Sequence, residues 1–80
     1  MSHTPHELAE EFPEAVDQIH ELKQTDAHFA RLADEYHDVN RQIHRIETDV
    51  EPASDAFQTR LRKQRMMIKD EINRILSATA

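Results

Sequence analysis

The stretch "FARLADEYHDVNRQIHRIETDV", residues 29–50, places apolar side chains at Phe29, Leu32, Tyr36, Val39, Ile43, Ile46 and Val50. Gaps of three and four alternate, a 3.5-residue repeat that marks a helix wound into a left-handed supercoil rather than one lying alone on a surface. Such a stripe needs a partner. The next stretch, "DVEPASDAF" at 49–57, breaks the pattern, since Pro52 pushes Glu51 out of helical geometry and Ser54 or Asp55 offers the next N-cap. Beyond it Phe57, Leu61, Gln64, Ile68, Ile72 and Ile75 recur on one narrow face. Folded back on the first stripe, the second pairs Ile46 with Phe57, Ile43 with Leu61, Val39 with Gln64, Tyr36 with Ile68, Leu32 with Ile72 and Phe29 with Ile75. One number falls as the other rises, as two antiparallel helices with a turn near 49–54 require.

Composition narrows the alternatives. The 80 residues contain no cysteine, so neither a disulfide nor a thiolate metal site is available, and no glycine, which argues against tight β-turns and phosphate-cradling loops. A chain this short builds one small core of marginal stability. No apolar run reaches the roughly 18 residues of a membrane span, and Met1 to Phe12 lacks the order of a secretory signal, so a cytoplasmic address is expected. The net charge of −6 disfavours indiscriminate binding to nucleic acid or anionic membrane. It is unevenly spread. Residues 1–24 carry six acids and one base, 25–51 seven and three, and 52–80 three and six.

At the N-terminus, "TPHELAEEF", residues 4–12, reads as a capping box, with Thr4 as cap, Pro5 at the first helical position and Glu7 three residues after the cap. Pro13 limits that helix and opens a second one. The second runs on into the hairpin or stops at a cap from Thr25 or Asp26. The expected fold is all-α: an N-terminal helical extension over 1–24 and an antiparallel two-helix coiled-coil hairpin over 25–80, assembling into a helical bundle.

The blocks "DAHFARLADEYHDVNRQIHRIE" (26–47) and "LRKQRMMIKDEI" (61–72), joined through a proline-containing turn, resemble the YdcH-like family of small bacterial proteins. The likeness runs from about Thr25 to Leu76, and the basic cluster leading into Lys-Asp-Glu-Ile is its most specific part. The resemblance implies a two-helix coiled coil, no assigned activity and no site residues.

Chemistry-bearing groups are plentiful but scattered. Arg60, Arg62, Lys63, Arg65, Lys69 and Arg74 could grip phosphates, yet Glu35, Asp38 and Glu47 lie beside the facing stripe, within reach of Arg65, Lys69 and Arg60, and Asp70 is well spaced for Arg74. Without interleaved aromatics to stack on bases, nucleic acid is the alternative reading, with the outward Arg62 and Lys63 as its residues. His3, His6, His20, His28, His37 and His44 show no i, i+4 pair, so no metal is expected. The adjacent carboxylates Glu10-Glu11, Asp34-Glu35 and Asp70-Glu71 diverge by about 100° each, and two helices make no cleft, so neither catalysis nor a cofactor or small-molecule substrate is expected. Asp34 and Asp38 share a face and could hold a divalent cation only loosely. Gln64, opposite Val39 and with Asn40 on the edge, is the expected polar register-setter. Met67 is expected beside the stripe and Met66 on the far side.

Leu8, Phe12, Val16, Ile19 and Leu22 remain. In an extended hairpin they have no partner within the chain, since Leu22 would need one beyond the C-terminus. Either the N-terminal helix folds back over the hairpin or a second subunit covers it. Self-association is favoured, with a dimer first and another helical protein second, and these five residues form the expected interaction surface.

Overall fold

A computed structural model of the protein describes residues 5–48 and 54–78. Those residues are helical and contain no strand: α1 spans Leu8–Glu11, a 3-10 turn covers Pro13–Ala15, α2 spans Val16–Thr25, α3 spans Ala27–Glu47 and α4 spans Asp55–Ala78. The turn expected near 49–54, with Val50, Glu51 and Pro52, lies almost wholly outside the described residues, as do Thr4 and His3.

Two caps set the long helices. The Asp26 side chain accepts from the backbone N–H of His28 and Phe29 at 3.0 and 3.2 Å, occupying two orphan donors of the first turn of α3. It stops α2 at the same place, with Asp26 in extended geometry. Of the two courses open from sequence, the break at Asp26 is therefore the one taken. Ser54 does the same for α4, its Oγ accepting from Phe57 N–H at 3.2 Å.

Helices α3 and α4 make the most extensive contact of any two elements. Bonded pairs along them are Glu47 with Arg62, Asn40 with Arg65 and His28 with Glu71, so numbers fall on α4 as they rise on α3. The buried stripe on α4 is Leu61, Ile68, Ile72 and Leu76. On α3 the buried set is wider than one seam: Phe29, Ala33, Tyr36, Val39, Asn40, Ile43 and Ile46. At 100° per residue, Val39, Ile43 and Ile46 share one face while Ala33 and Asn40 lie round the helix from it. The second face is covered by the N-terminal segment.

Of the two covers open from sequence, fold-back of the N-terminal segment and a second subunit, the fold-back is present in the chain. Residues 5–25 fold back, burying Ile19 and packing Leu8, Phe12, Ala15 and Leu22 against the core. Fully burying a large apolar side chain is worth roughly 1.5–3 kcal/mol, which explains why a marginal two-helix seam takes this cover from its own chain. The reading of Pro5 as the first helical residue also fails: α1 begins at Leu8, and Pro5 and His6 form a turn in which His6 has φ of 63°. Left-handed geometry in a residue other than glycine costs on the order of 1 kcal/mol. The carbonyls of both turn residues are held by α3, as described below.

Three further readings shift. Gln64 is exposed, and Asn40 is the buried polar residue, at 1 % exposure. Leu76 is buried where Ile75 was expected, and Ala33 is more buried than Leu32, because the arm adds a face to the core that pairing α3 with α4 alone does not contain. Met67, at 69 % exposure, stands out as far as Met66 at 58 %, and Phe57 is 40 % exposed.

Replacing Asp26 by alanine removes both cap bonds and should cost about 1 kcal/mol in urea unfolding, while Asp26→Asn, which keeps an acceptor, should retain most of it.

Candidate functional site

The described residues offer two distinct surfaces beside α4. One is closed by the arm. The other is open.

The closed side centres on Asn40. Its amide Nδ2 donates to the Pro5 carbonyl at 2.8 Å, with a long contact to Glu7 Oε1 at 3.5 Å, and its Oδ1 accepts from Arg65 Nη1 at 2.9 Å. One turn earlier the Tyr36 hydroxyl donates to the His6 carbonyl. Both α3 side chains thus hold the backbone of the turn before α1, which accounts for the geometry forced on His6. Lys69 Nζ donates to Glu11 Oε1 at 2.7 Å and lies 5.9 Å from the centroid of the Phe12 ring. Gln18 Nε2 donates to the Leu76 carbonyl at 3.1 Å, satisfying an acceptor in the last turn of α4. The arm is therefore bonded to α3 and to α4.

Electrostatics follow the bonds. Hydrogen bonding from Lys69 holds the Glu11 carboxyl below its ordinary value of 4.5, against the opposing effect of burial. Burial pushes the Tyr36 phenol up to about 12, and the nearby Glu11 carboxylate adds to the rise. Histidines lie near the arm, where His6 Nδ1 is 3.5 Å from Glu11, His37 Nδ1 is 3.2 Å from Glu7 and His20 contacts Gln24, while His28 Nε2 of α3 is 3.8 Å from Glu71 of α4. Among the described residues no group of three histidines or carboxylates is placed to hold a metal ion.

The open side is a groove of about 590 Å³ between α3 and α4, lined by Glu35, Ala56, Thr59, Arg60, Lys63, Gln64, Met67 and Ile68. Helical geometry puts it on the opposite flank of α4 from the arm: Lys69 and Leu76 lie to one side of Leu61, Ile68 and Ile72, while Arg60, Lys63 and Met67 lie to the other. Its span from Ala56 to Ile68 is about 18 Å, somewhat more than three turns.

The cations of α4 divide between the two sides. Arg62 pairs with Glu47 at 3.3 Å, Arg65 bonds Asn40, Lys69 bonds Glu11, and Arg74 pairs with Glu71. These partners differ from those expected: Glu47 takes Arg62 rather than Arg60, Lys69 finds the arm rather than α3, and Arg74 takes Glu71 rather than Asp70. Among the described residues Arg60 and Lys63 have no such partner, and both line the groove.

Of the five residues expected to form an interaction surface, Ile19 is buried, Leu8, Phe12 and Leu22 are half-buried on the protein's own core, and Val16 stays 44 % exposed. Of the two assigned to nucleic acid, Lys63 is exposed and uncommitted whereas Arg62 is engaged. The groove residues Ala56, Arg60 and Met67 were not singled out together from sequence. A partial signal existed, since neither Arg60 nor Lys63 has a carboxylate three or four residues away on α4. Arg62, Arg65 and Lys69 share that property, so only the packing separates them.

A chain of this kind, all-helical over its described residues with two long helices packed along each other, is a small helical protein. Residues 29–76 match the family described as Protein of unknown function (DUF465), and the chain belongs to that family. It is the YdcH-like family that the sequence blocks resemble. No curated protein and no solved structure matches the chain.

Glu11 gives a titration test. The folded carboxyl holds its proton less tightly than the unfolded one, so its stabilisation is complete above pH 4.5 and is lost as pH falls through the lower folded value. Glu11→Gln should lower stability at neutral pH and flatten the dependence of urea unfolding on pH below 4.5. Tyr36→Phe, which strips the donor from the His6 carbonyl, should cost about 1 kcal/mol in the same assay.

Proposed function

We propose that the protein is a non-enzymatic helical interaction module, with the groove on the open flank of α4 as its binding face. Its frame is an antiparallel coiled-coil hairpin of α3 and α4 braced on one side by the N-terminal arm. The observation that carries this reading is the division of α4 into an engaged flank and an unengaged one. On the unengaged flank a side chain as apolar as methionine is 69 % exposed at position 67, one turn beyond Lys63 and two beyond Arg60, cations that have no partner among the described residues. Methionine at a binding face adapts to varied apolar surfaces.

The partner is another helical protein. The case for self-association through Leu8, Phe12, Val16, Ile19 and Leu22 rested on their lacking cover, and four of them have it from their own chain. A nucleic-acid role has less support than before, because Arg62 is committed to Glu47 and Glu35 sits on the groove's rim. No helix among the described residues is long and apolar enough to cross a membrane.

A photo-crosslinking residue placed at Met67 should give protease-sensitive adducts of discrete mass in cells, and the same residue at Asp17 on the exposed side of α2 should not. Equal labelling from both positions, or adducts sensitive only to nuclease, would remove the reading.

A further inference from the structure

We infer that the groove's occupant is an acidic amphipathic helix of a partner protein, a step that rests on the reading of the groove as a binding face. Three observations converge on that class of ligand.

The first is charge. The rim carries two cations without a partner among the described residues, Arg60 and Lys63, and one carboxylate, Glu35, across from them on α3. Although the chain as a whole is −6, screening over about 8 Å at physiological ionic strength lets these near charges dominate what docks. A helix lying here gains from carboxylates facing α4 and from a cation facing Glu35. Its apolar stripe covers Ala56, Met67 and the exposed edge of Ile68, and the groove's length accepts roughly 12 residues of it.

The second is a precedent within the molecule. On the other flank of α4 the protein already binds a segment of this chemistry: residues 5–25 form an amphipathic arm whose Glu11 meets Lys69 at 2.7 Å, while Phe12 lies against the same ammonium and Ile19 is buried. The open flank repeats the same elements, cations beside an apolar stripe, without an occupant drawn from the described residues.

The third concerns a second copy of the chain. A twofold axis through the groove would bring Arg60 and Lys63 of one copy against Arg60 and Lys63 of the other, four cations facing two Glu35 carboxylates, and like charges set opposite each other discriminate against that pairing. The copy's own acidic arm is already folded onto its own hairpin.

The test uses the full-length protein and two designed helical peptides of about 18 residues. Both have leucine at alternating three- and four-residue spacing; one is flanked by glutamate and the other by lysine. Isothermal titration should show the glutamate peptide binding about tenfold more tightly than the lysine peptide, the scale two exposed charge pairs supply, and the difference should shrink with added salt. Arg60→Glu combined with Lys63→Glu should invert the preference, and Met67→Glu should weaken both peptides. All three positions are surface residues, so circular dichroism of the variants should match the parent.

A parent protein that shows no preference for the glutamate peptide, while position 67 still crosslinks to a protein in cells, overturns the acidic-helix assignment and leaves the binding face standing. Failure of both removes the two together. Sedimentation that finds a dimer dissociated by Met67→Glu replaces the occupant with a second copy, and displacement of the glutamate peptide by a single-stranded RNA oligomer replaces it with nucleic acid. Either result overturns the proposal.

Discussion

One amide, that of Asn40, ties together three parts of the chain that are far apart in sequence. It donates to the carbonyl of Pro5, approaches the Glu7 carboxylate and accepts from Arg65, while being 1 % exposed. A buried amide left unpaired would cost about 1–3 kcal/mol, so the fold is favourable only when the arm and α4 are both in place around α3. Tyr36 repeats the demand one turn away through the His6 carbonyl. Apolar cover alone would let the arm slide along α3, since packing against Ala33 and its neighbours is not directional. The two polar contacts fix where it stops.

The same constraint explains how much of the fold could be read from the sequence. The alternating three-four spacing of Phe29 through Ile46 identified the long helix and its burial face because local geometry alone dictates it. The caps at Asp26 and Ser54 were within the alternatives that side-chain chemistry allows. The misreadings came from treating the contact of α3 with α4 as a single seam. With one seam, Gln64 belongs in the core and Leu8 to Leu22 hang free. With a second face on α3, Asn40 becomes the buried polar residue, Ala33 and Leu76 move inward, and Gln64 is released to solvent. The arm's return is a tertiary event with no periodic signature, resting on two backbone carbonyls in a turn that sequence suggested was already helix.

The allocation of cations on α4 was similarly beyond sequence. Arg60, Arg62, Lys63, Arg65 and Lys69 all lack a carboxylate at helical spacing within α4, so α4 alone assigns none of them a partner. The arm brings Glu11 to Lys69, α3 brings Asn40 to Arg65 and Glu47 to Arg62, and Arg60 and Lys63 receive no partner among the described residues. Reading the basic segment as one patch therefore mixes residues that stabilise the fold with residues that do not. Exposed ion pairs are each worth about 0.2–1 kcal/mol, so the Arg62–Glu47 pair adds little, whereas the Lys69–Glu11 bond, partly shielded by Phe12, contributes more to holding the arm.

Why the arm takes one flank and leaves the other is set by α3 rather than by α4. Both flanks of α4 offer cations beside apolar side chains, and an acidic arm with six carboxylates and one lysine in its first 24 residues would be attracted to either. The cap at Asp26 sends the chain back along α3, and only on one side of α3 do Tyr36 and Asn40 present a hydroxyl and an amide to receive the turn carbonyls of Pro5 and His6. On the groove side α3 presents Glu35, which would repel an acidic arm instead of bonding it. The carboxylate that turns the protein's own arm away also makes a demand of any helix that does bind there. It must be acidic toward α4 and neutral or basic toward α3, a polarity across its width that the internal arm is not required to have.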